Sequence, residues 1–386
     1  MFTRWIELHG QRSCLLVGPC RSGKTTLARE RYRELRYVTL DDLDYLDWAE
    51  RDPKGFIQDL GTSAIIDEVQ RCPRLTIAVK HAIDQRAAFF VMTGSSTLGL
   101  LDSASDTLAG RIDIYSLPTA CWGEEQGEPT HAIFSEQAHP LHIKEGNRLL
   151  RQAITFGQFP EVLTCQTEKE RQETLIRYKN TYFTRDMMQL SNIEHMGGLL
   201  GILHNLAYSL GSHLEVSNFA RESGISHPTA KKYLNVLDQA QLTFSLQGYQ
   251  FGPAKRFLKA TKTYFADNGI IHSLNIPLSQ GALLENFVIA ELEKRRKLGY
   301  IATDRFYYYK SAAGHEVDLI IETADTLYAI EIKATRKPGA KDITTLKNFS
   351  PQKEIDTKRF LFYGGDEYAT ADNVTLIPIA ALFRGK

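Results

Sequence analysis

The residues Gly18-Pro19-Cys20-Arg21-Ser22-Gly23-Lys24-Thr25 fit the pattern G-x-x-x-x-G-K-[ST], and the chemistry of that pattern is phosphate binding. Its glycines let successive backbone N–H groups curl around phosphate oxygens. Thr26 then opens a helix whose N-terminus favours their negative charge. Lys24 is spaced to reach the β- and γ-phosphates, and the Thr25 hydroxyl to ligate Mg²⁺, so ATP and Mg²⁺ are the expected cofactors. Further along, the apolar run Ala64-Ile65-Ile66 ends in Asp67-Glu68. An Asp at a strand end holds Mg²⁺ through water, and the next Glu polarises the attacking water. The run Phe89–Met92 leads into Thr93-Gly94-Ser95-Ser96, where Ser95 or Ser96 would orient that water; a plain strand-ending turn is the alternative. Arg111 reads either as an arginine finger, acting in cis or in trans, or as an ion-paired surface arginine.

A second set lies near the end of the chain. Glu285 falls in a helical pattern, Asp318 in the strand Glu316–Ile321, and Glu331 and Lys333 in Tyr328–Lys333. Strand alternation puts Glu331 and Lys333 on one face. Asp followed by Glu-x-Lys on a neighbouring strand resembles the PD-(D/E)xK nuclease fold, although Asp318 follows Val317 and not Pro. That resemblance implies two carboxylates holding Mg²⁺ at a scissile phosphate, with the lysine assisting water. A salt-bridged face without catalysis is the other reading. Between the two sets, Val216–Glu222, the turn Ser223-Gly224-Ile225 and Ser226–Leu237 have helix-turn-helix spacing, with Ser226 as N-cap. Thr229, Lys231 and Lys232 would then face DNA, and Gln241–Tyr249 with Phe251-Gly252-Pro253 would form a wing. Such modules also serve as protein contacts.

These residues need elements to hold them. Cys14–Val17, Tyr37–Leu40, Ala64–Ile66 and Phe89–Met92 are short apolar runs separated by helical stretches, the mark of a parallel α/β sheet. Helical periodicity dominates from about residue 145 to 240, and strands return after 300. The expected fold class is α/β, with an α/β front, a helical middle and an α/β back. Residues 1–140 form a P-loop ATPase domain, 141–255 a helical segment with a winged helix, and 256–386 a restriction-endonuclease-like domain. Trp122–Pro140, polar with Gly and Pro, reads as a loop or linker. Lys294-Arg295-Arg296-Lys297 reads as a solvated helix end or a phosphate contact. Lys255, Arg256, Lys259 and Lys262, interleaved with Phe257 and Tyr264, form a basic stretch.

Composition narrows the options. Lys plus Arg equals Asp plus Glu, 46 each in 386 residues, so no overall basic charge argues for nucleic acid. The five cysteines include no C-x-x-C pair, which disfavours a disulfide framework or a zinc site. The chain start lacks a signal-peptide pattern and no apolar run approaches a membrane span, so the cytoplasm is expected.

The P-loop, the string Ile65–Leu75, Thr93–Ser96 and Ala109-Gly110-Arg111 resemble a prokaryotic AAA+-type ATPase family with a C-terminal domain of unknown function. The resemblance continues in Gly157-Gln158-Phe159-Pro160, in Tyr182–Asp186 and in the final third. It implies ATP binding and hydrolysis, with Lys24, Thr25, Asp67, Glu68 and Ser95 or Ser96 in the roles above. The expectation is an ATPase acting on or regulated by DNA with a nuclease-like output. The alternative is a signalling or scaffold switch whose later modules bind proteins and cleave nothing. An ATPase with negligible turnover is a third reading, against which Glu68 argues. The oligomeric state is left open.

Overall fold

The computed structural model describes residues 2–10, 12–94, 108–181, 193–249, 261–311, 314–351 and 355–386. At the front, β1 (Ser13–Val17) runs through the P-loop into α1 (Lys24–Arg31). There follow β2 (Arg36–Thr39), α2 (Leu43–Arg51), α3 (Pro53–Leu60), β3 (Ser63–Asp67), α4 (Leu75–Arg86), β4 (Phe89–Gly94) and β5 (Ile112–Ser116). All five strands are parallel, in the order β2-β3-β4-β1-β5. The apolar runs of β1, β3 and β4 follow from helices covering both faces, while the edge strands β2 and β5 are mixed and partly exposed. Because β4 stands between β1 and β3, the strand ends carrying the P-loop, Thr93 and Asp67 lie side by side.

The middle begins with α5 (Pro140–Phe156), α6 (Pro160–Thr164) and α7 (Glu168–Tyr178), then α8 (Met196–Tyr208), α9 (Val216–Glu222) and α10 (His227–Gln239). Ser226 caps α10 as expected, its hydroxyl accepting from the Thr229 N–H at 3.2 Å. The hairpin β6 (Thr243–Gly248) and β7 (Thr261–Phe265) comes next, antiparallel. The wing segment falls partly on β6, while Phe251–Pro253 lie outside the described residues. β6 also pairs in parallel with β8 (Phe306–Lys310), so the hairpin joins the last sheet across residues 255 and 256.

That sheet has eight strands in the order β12-β13-β11-β10-β9-β8-β6-β7. After α11 (Asn268–Ser273), α12 (Gln280–Lys297) leads into β8, β9 (Glu316–Glu322) and β10 (Thr326–Lys333), a meander. Then α13 (Ala340–Asn348) crosses to β11 (Asp356–Tyr363), which lies parallel to β10. β12 (Ala369–Ala371) and β13 (Val374–Pro378) complete the edge.

Two expectations fail here for one reason. Trp122–Pro140 is irregular in outline but is no free linker. Trp122, Ile133 and Ala138 enter the core with Phe287 and Phe383, and the Arg384 N–H donates to the Trp122 carbonyl at 3.0 Å. Lys294 and Arg295 are not solvated either; they are 3% and 0% exposed. The Lys294 ammonium donates to the Ala120 carbonyl (3.0 Å), Asp267 (3.1 Å) and Glu291 (2.8 Å). Arg295 donates to Glu291 and to the carbonyls of Leu382 and Gly385. Asp267 also accepts from the Thr119 hydroxyl at 2.7 Å and the Gln158 N–H at 3.0 Å. Buried charges survive when each is matched by an opposite charge or hydrogen bond. Here the partners come from the front, the middle and the back, which lock the three regions together.

Candidate active site

At the front, Gly18 is obligatory because a Cβ there would lie 2.1 Å from the Leu117 carbonyl oxygen. Gly23, at φ 94°, opens α1 with no side-chain cap, so the helix's first N–H groups remain for an anion. Lys24 is buried, and its ammonium donates to the carbonyls of Gly18 (3.0 Å) and Pro19 (2.9 Å). Burial pulls its pKa below the ordinary value, opposed by Cys20, Glu68 and Asp67.

Asp67 is the best-satisfied acid of the site. Its Oδ1 accepts from the Thr25 hydroxyl at 2.8 Å and from the Thr93 hydroxyl, and its Oδ2 accepts from the Tyr37 hydroxyl at 2.8 Å. Burial and the bond to Asp67 push the Tyr37 phenol up to about 12. A hydroxyl and a carboxylate in contact are hard oxygen donors of the kind Mg²⁺ takes. Glu68 has left-handed backbone angles, φ 57° and ψ 42°, unusual for a residue with a side chain. The Gln70 amide donates to its carboxylate. These groups open on a cavity of 440 Å³ whose wall includes Arg4, Lys24, Thr25, Glu68, Pro160 and Thr164.

At the back, the sheet and α12 bring the predicted acids together. The Tyr264 hydroxyl donates to Glu285 Oε1 at 2.8 Å, and Asp318 Oδ2 accepts from the Ile332 N–H at 2.9 Å. Lys333 donates to Glu331 Oε1 at 2.6 Å, while Glu331 Oε2 is buried with no hydrogen-bond partner. Burial raises the Asp318 carboxyl above its usual range. Burial and then the Asp318 charge raise Glu285, and the same two causes push Glu331 up to about 8. Burial alone would lower Lys333, but Glu331 and Asp318 outweigh it and raise its pKa. Among the described residues, no three His, Cys, Asp or Glu side chains are gathered closely enough to hold one metal ion.

Comparison with known proteins agrees with the front geometry. Residues 10–125 match the family model of the AAA domain. The front of the chain is therefore similar to an AAA domain. Residues 147–281 and 280–382 match two domains of unknown function, DUF8612 and DUF4143. An uncharacterized protein of Mycobacterium tuberculosis is 25% identical over 383 residues, covering 96% of this chain and 81% of its own. One from Methanocaldococcus jannaschii is 29% identical over 261 residues, covering 66% of this chain and 57% of its own. A solved signal transduction ATPase with a tetratricopeptide repeat sensor, from Pyrococcus horikoshii, aligns with TM-score 0.22 and 11% identity. The alignment covers 77% of this chain and 46% of that one, too loose to carry an argument.

Within the AAA-like domain, Ser95 and Ser96 lie outside the described residues. Thr93, on β4 just before them in sequence, reaches Asp67. Arg111 is set at the wrong edge for the chain's own site. It precedes Ile112, which pairs with Ser13 at the start of β1, whereas the P-loop follows Val17 at the other end. There it forms an ion pair with Asp84 at 2.7 Å. Lys231 and Lys232 are exposed on α10, while Thr229 is half-buried beside Ser226. Tyr182–Asp186, Lys255, Arg256, Phe257 and Lys259 lie outside the described residues. Lys262, assigned to that basic stretch, is instead 2% exposed and ion-paired with Glu316. Sequence reading missed Tyr37, Arg4 and the Tyr264 contact to Glu285, because each reaches its site from a distant segment.

Proposed function

We propose that the AAA-like domain binds ATP with Mg²⁺ and hydrolyses it. The observation that carries this reading is the contact of Asp67 with Thr25, which lines the 440 Å³ cavity together with Lys24 and Glu68. Thr25 and Asp67 would hold the ion, which when bound neutralises charge on the phosphates. Lys24 and the first N–H groups of α1 bind the β- and γ-phosphates. Glu68 orients the attacking water and accepts its proton. Pro160 and Thr164 wall the same cavity from α6, so bound nucleotide touches the front and the middle at once.

The output is a switch regulated by or acting on DNA. Exposed Lys231 and Lys232, with half-buried Thr229, on a capped second helix support the contact, and the meeting of Glu285, Asp318, Glu331 and Lys333 supports a nuclease-like back. Helix, three strands, helix and parallel strand from α12 to β11 fit that core. The competing reading is a scaffold that binds proteins. It is favoured by Lys262, Lys294 and Arg295 pointing inward, which removes positive charge from the surface of a chain with equal acids and bases. No helix among the described residues is long and apolar enough to cross a membrane.

Phosphate release by the full chain, with and without single-stranded, duplex and branched DNA, tests these readings. Hydrolysis that survives both Lys24→Ala and Glu68→Gln would remove the site assignment. Stimulation by DNA supports the first output, and indifference to all three forms supports the scaffold. DNA cleavage, if observed, must vanish in Asp318→Ala and Lys333→Ala to belong to the back site.

A further inference from the structure

Arg4 comes from the segment before β1, outside the residues that match the AAA domain. Its side chain is 7% exposed and walls the nucleotide cavity. All three guanidinium nitrogens are engaged. Nη1 donates to the Ser22 carbonyl at 2.6 Å, Nη2 to the Pro118 carbonyl at 2.9 Å and Nε to Glu124 Oε1 at 2.8 Å. Glu124 is fully buried and also accepts from the N–H groups of Trp5 (2.5 Å) and Cys121 (2.7 Å). The Tyr300 hydroxyl donates to the Trp5 carbonyl at 2.9 Å, which fixes the segment from its other side.

Ser22 and Gly23 share one peptide unit, and the described chain has no cis peptide bonds. In a planar trans peptide the carbonyl of one residue and the N–H of the next point in opposite directions. Holding the Ser22 carbonyl toward Arg4 therefore turns the Gly23 N–H the other way. The loop's own side chain does not provide this hold, since Ser22 Oγ is buried with no hydrogen-bond partner. Pro118 follows Leu117, whose N–H donates to the Val17 carbonyl at 2.7 Å and whose carbonyl oxygen forbids a Cβ at Gly18. Arg4 thus ties the far end of the P-loop to the strand end that backs its start.

We propose that Arg4 is a positioning residue of the phosphate cradle: by anchoring the Ser22 carbonyl it aims the Gly23 N–H at the nucleotide's phosphates. The proposal rests on the nucleotide reading of this site. Lysine cannot replace Arg4, because one ammonium on a flexible stem does not reproduce a planar fork shared among three acceptors.

The competing role for Arg4 is simply to neutralise buried Glu124. Arg4→Lys separates the two, because it keeps a cation beside Glu124 but not the fork that reaches Ser22. Trp5→Phe, which removes the bond from Trp5 Nε1 to the Gly127 carbonyl (2.8 Å) without touching the P-loop, controls for a loosened segment. Calorimetric titration of the full chain with ADP and Mg²⁺ gives the readout, with melting curves as the check on folding. Arg4→Lys and Arg4→Gln should weaken ADP binding by roughly tenfold, the effect of one misdirected hydrogen bond to a charged group. Trp5→Phe keeps the Trp5 backbone N–H on Glu124 and should stay within about twofold of wild type. Wild-type affinity in both Arg4 variants overturns the proposal, as does an equal loss in Trp5→Phe. If neither Arg4 variant melts cooperatively, Arg4 is a folding residue and the positioning role falls. Wild-type protein that binds neither ADP nor ATP would overturn the nucleotide reading itself, an outcome distinct from all of these.

Discussion

At the front of the chain Asp67 is surrounded by hydroxyls that donate to it, whereas at the back Glu285, Asp318 and Glu331 crowd one another. Thr25, Thr93 and Tyr37 come from three elements and leave both Asp67 oxygens oriented by donors. At the back, burial raises all three carboxyls and the Asp318 charge raises Glu285 and Glu331 further, while Lys333 offsets only part of this. The difference teaches that a carboxylate beside a lysine means little until its other neighbours are known. Hydrogen-bond donors hold an anion ready for a cation, while like charges push a carboxyl toward neutrality.

The comparison breaks most sharply at Asp67. Asp67→Asn should lower kcat/KM for ATP by about 100-fold or more, as loss of a preorganised electrostatic group does; a steady-state assay with Mg²⁺ that finds no loss would place the two acidic sites in one class. At the back, Asp318→Asn and Lys333→Met should move the melting temperature in opposite directions, up and down respectively. Each shift is about 2–4 °C, since Lys333 is partly solvent-screened, and shifts of the same sign would contradict the crowding. A pH-dependent effect comes from Glu331. Its carboxyl rises from an ordinary 4.5 to about 8, so its contribution to stability is complete below pH 4.5 and lost as pH rises through 8. Melting curves across that window should show the decline, and Asp318→Asn should flatten the part owed to repulsion. The smallest effect belongs to Arg111→Ala, which should leave ADP affinity at the wild-type value. A fall in turnover that varies with protein concentration would instead assign Arg111 to a neighbouring copy's site.

Much of this was legible in the sequence where the chemistry is local. Gly18–Thr25 is contiguous, and Asp67-Glu68 follows an apolar strand, so residue order alone places them. Strand alternation likewise placed Glu331 and Lys333 on one face. The packing against each segment was not legible. Lys294–Lys297 has the look of a wet helix end, and nothing nearby in sequence announces that Asp267 and the carbonyls of Ala120, Leu382 and Gly385 will meet Lys294 and Arg295. Trp122 was the one signal that its stretch was no linker, because so large an apolar ring is seldom spent on a tether. Arg4 gave none, since its partners lie 18 to 120 positions away.

The junction at Lys294 constrains how such a chain can be recombined. Thr119 and Ala120 end the front, Gln158 opens the middle's last approach to the cavity, and Asp267, Glu291 and Lys294 belong to the back. A front domain grafted from a relative would bring its own residues to this meeting point and find the host's charges waiting. Chimeras should therefore fold only when these positions travel as a set, and drift in relatives should change them together or not at all.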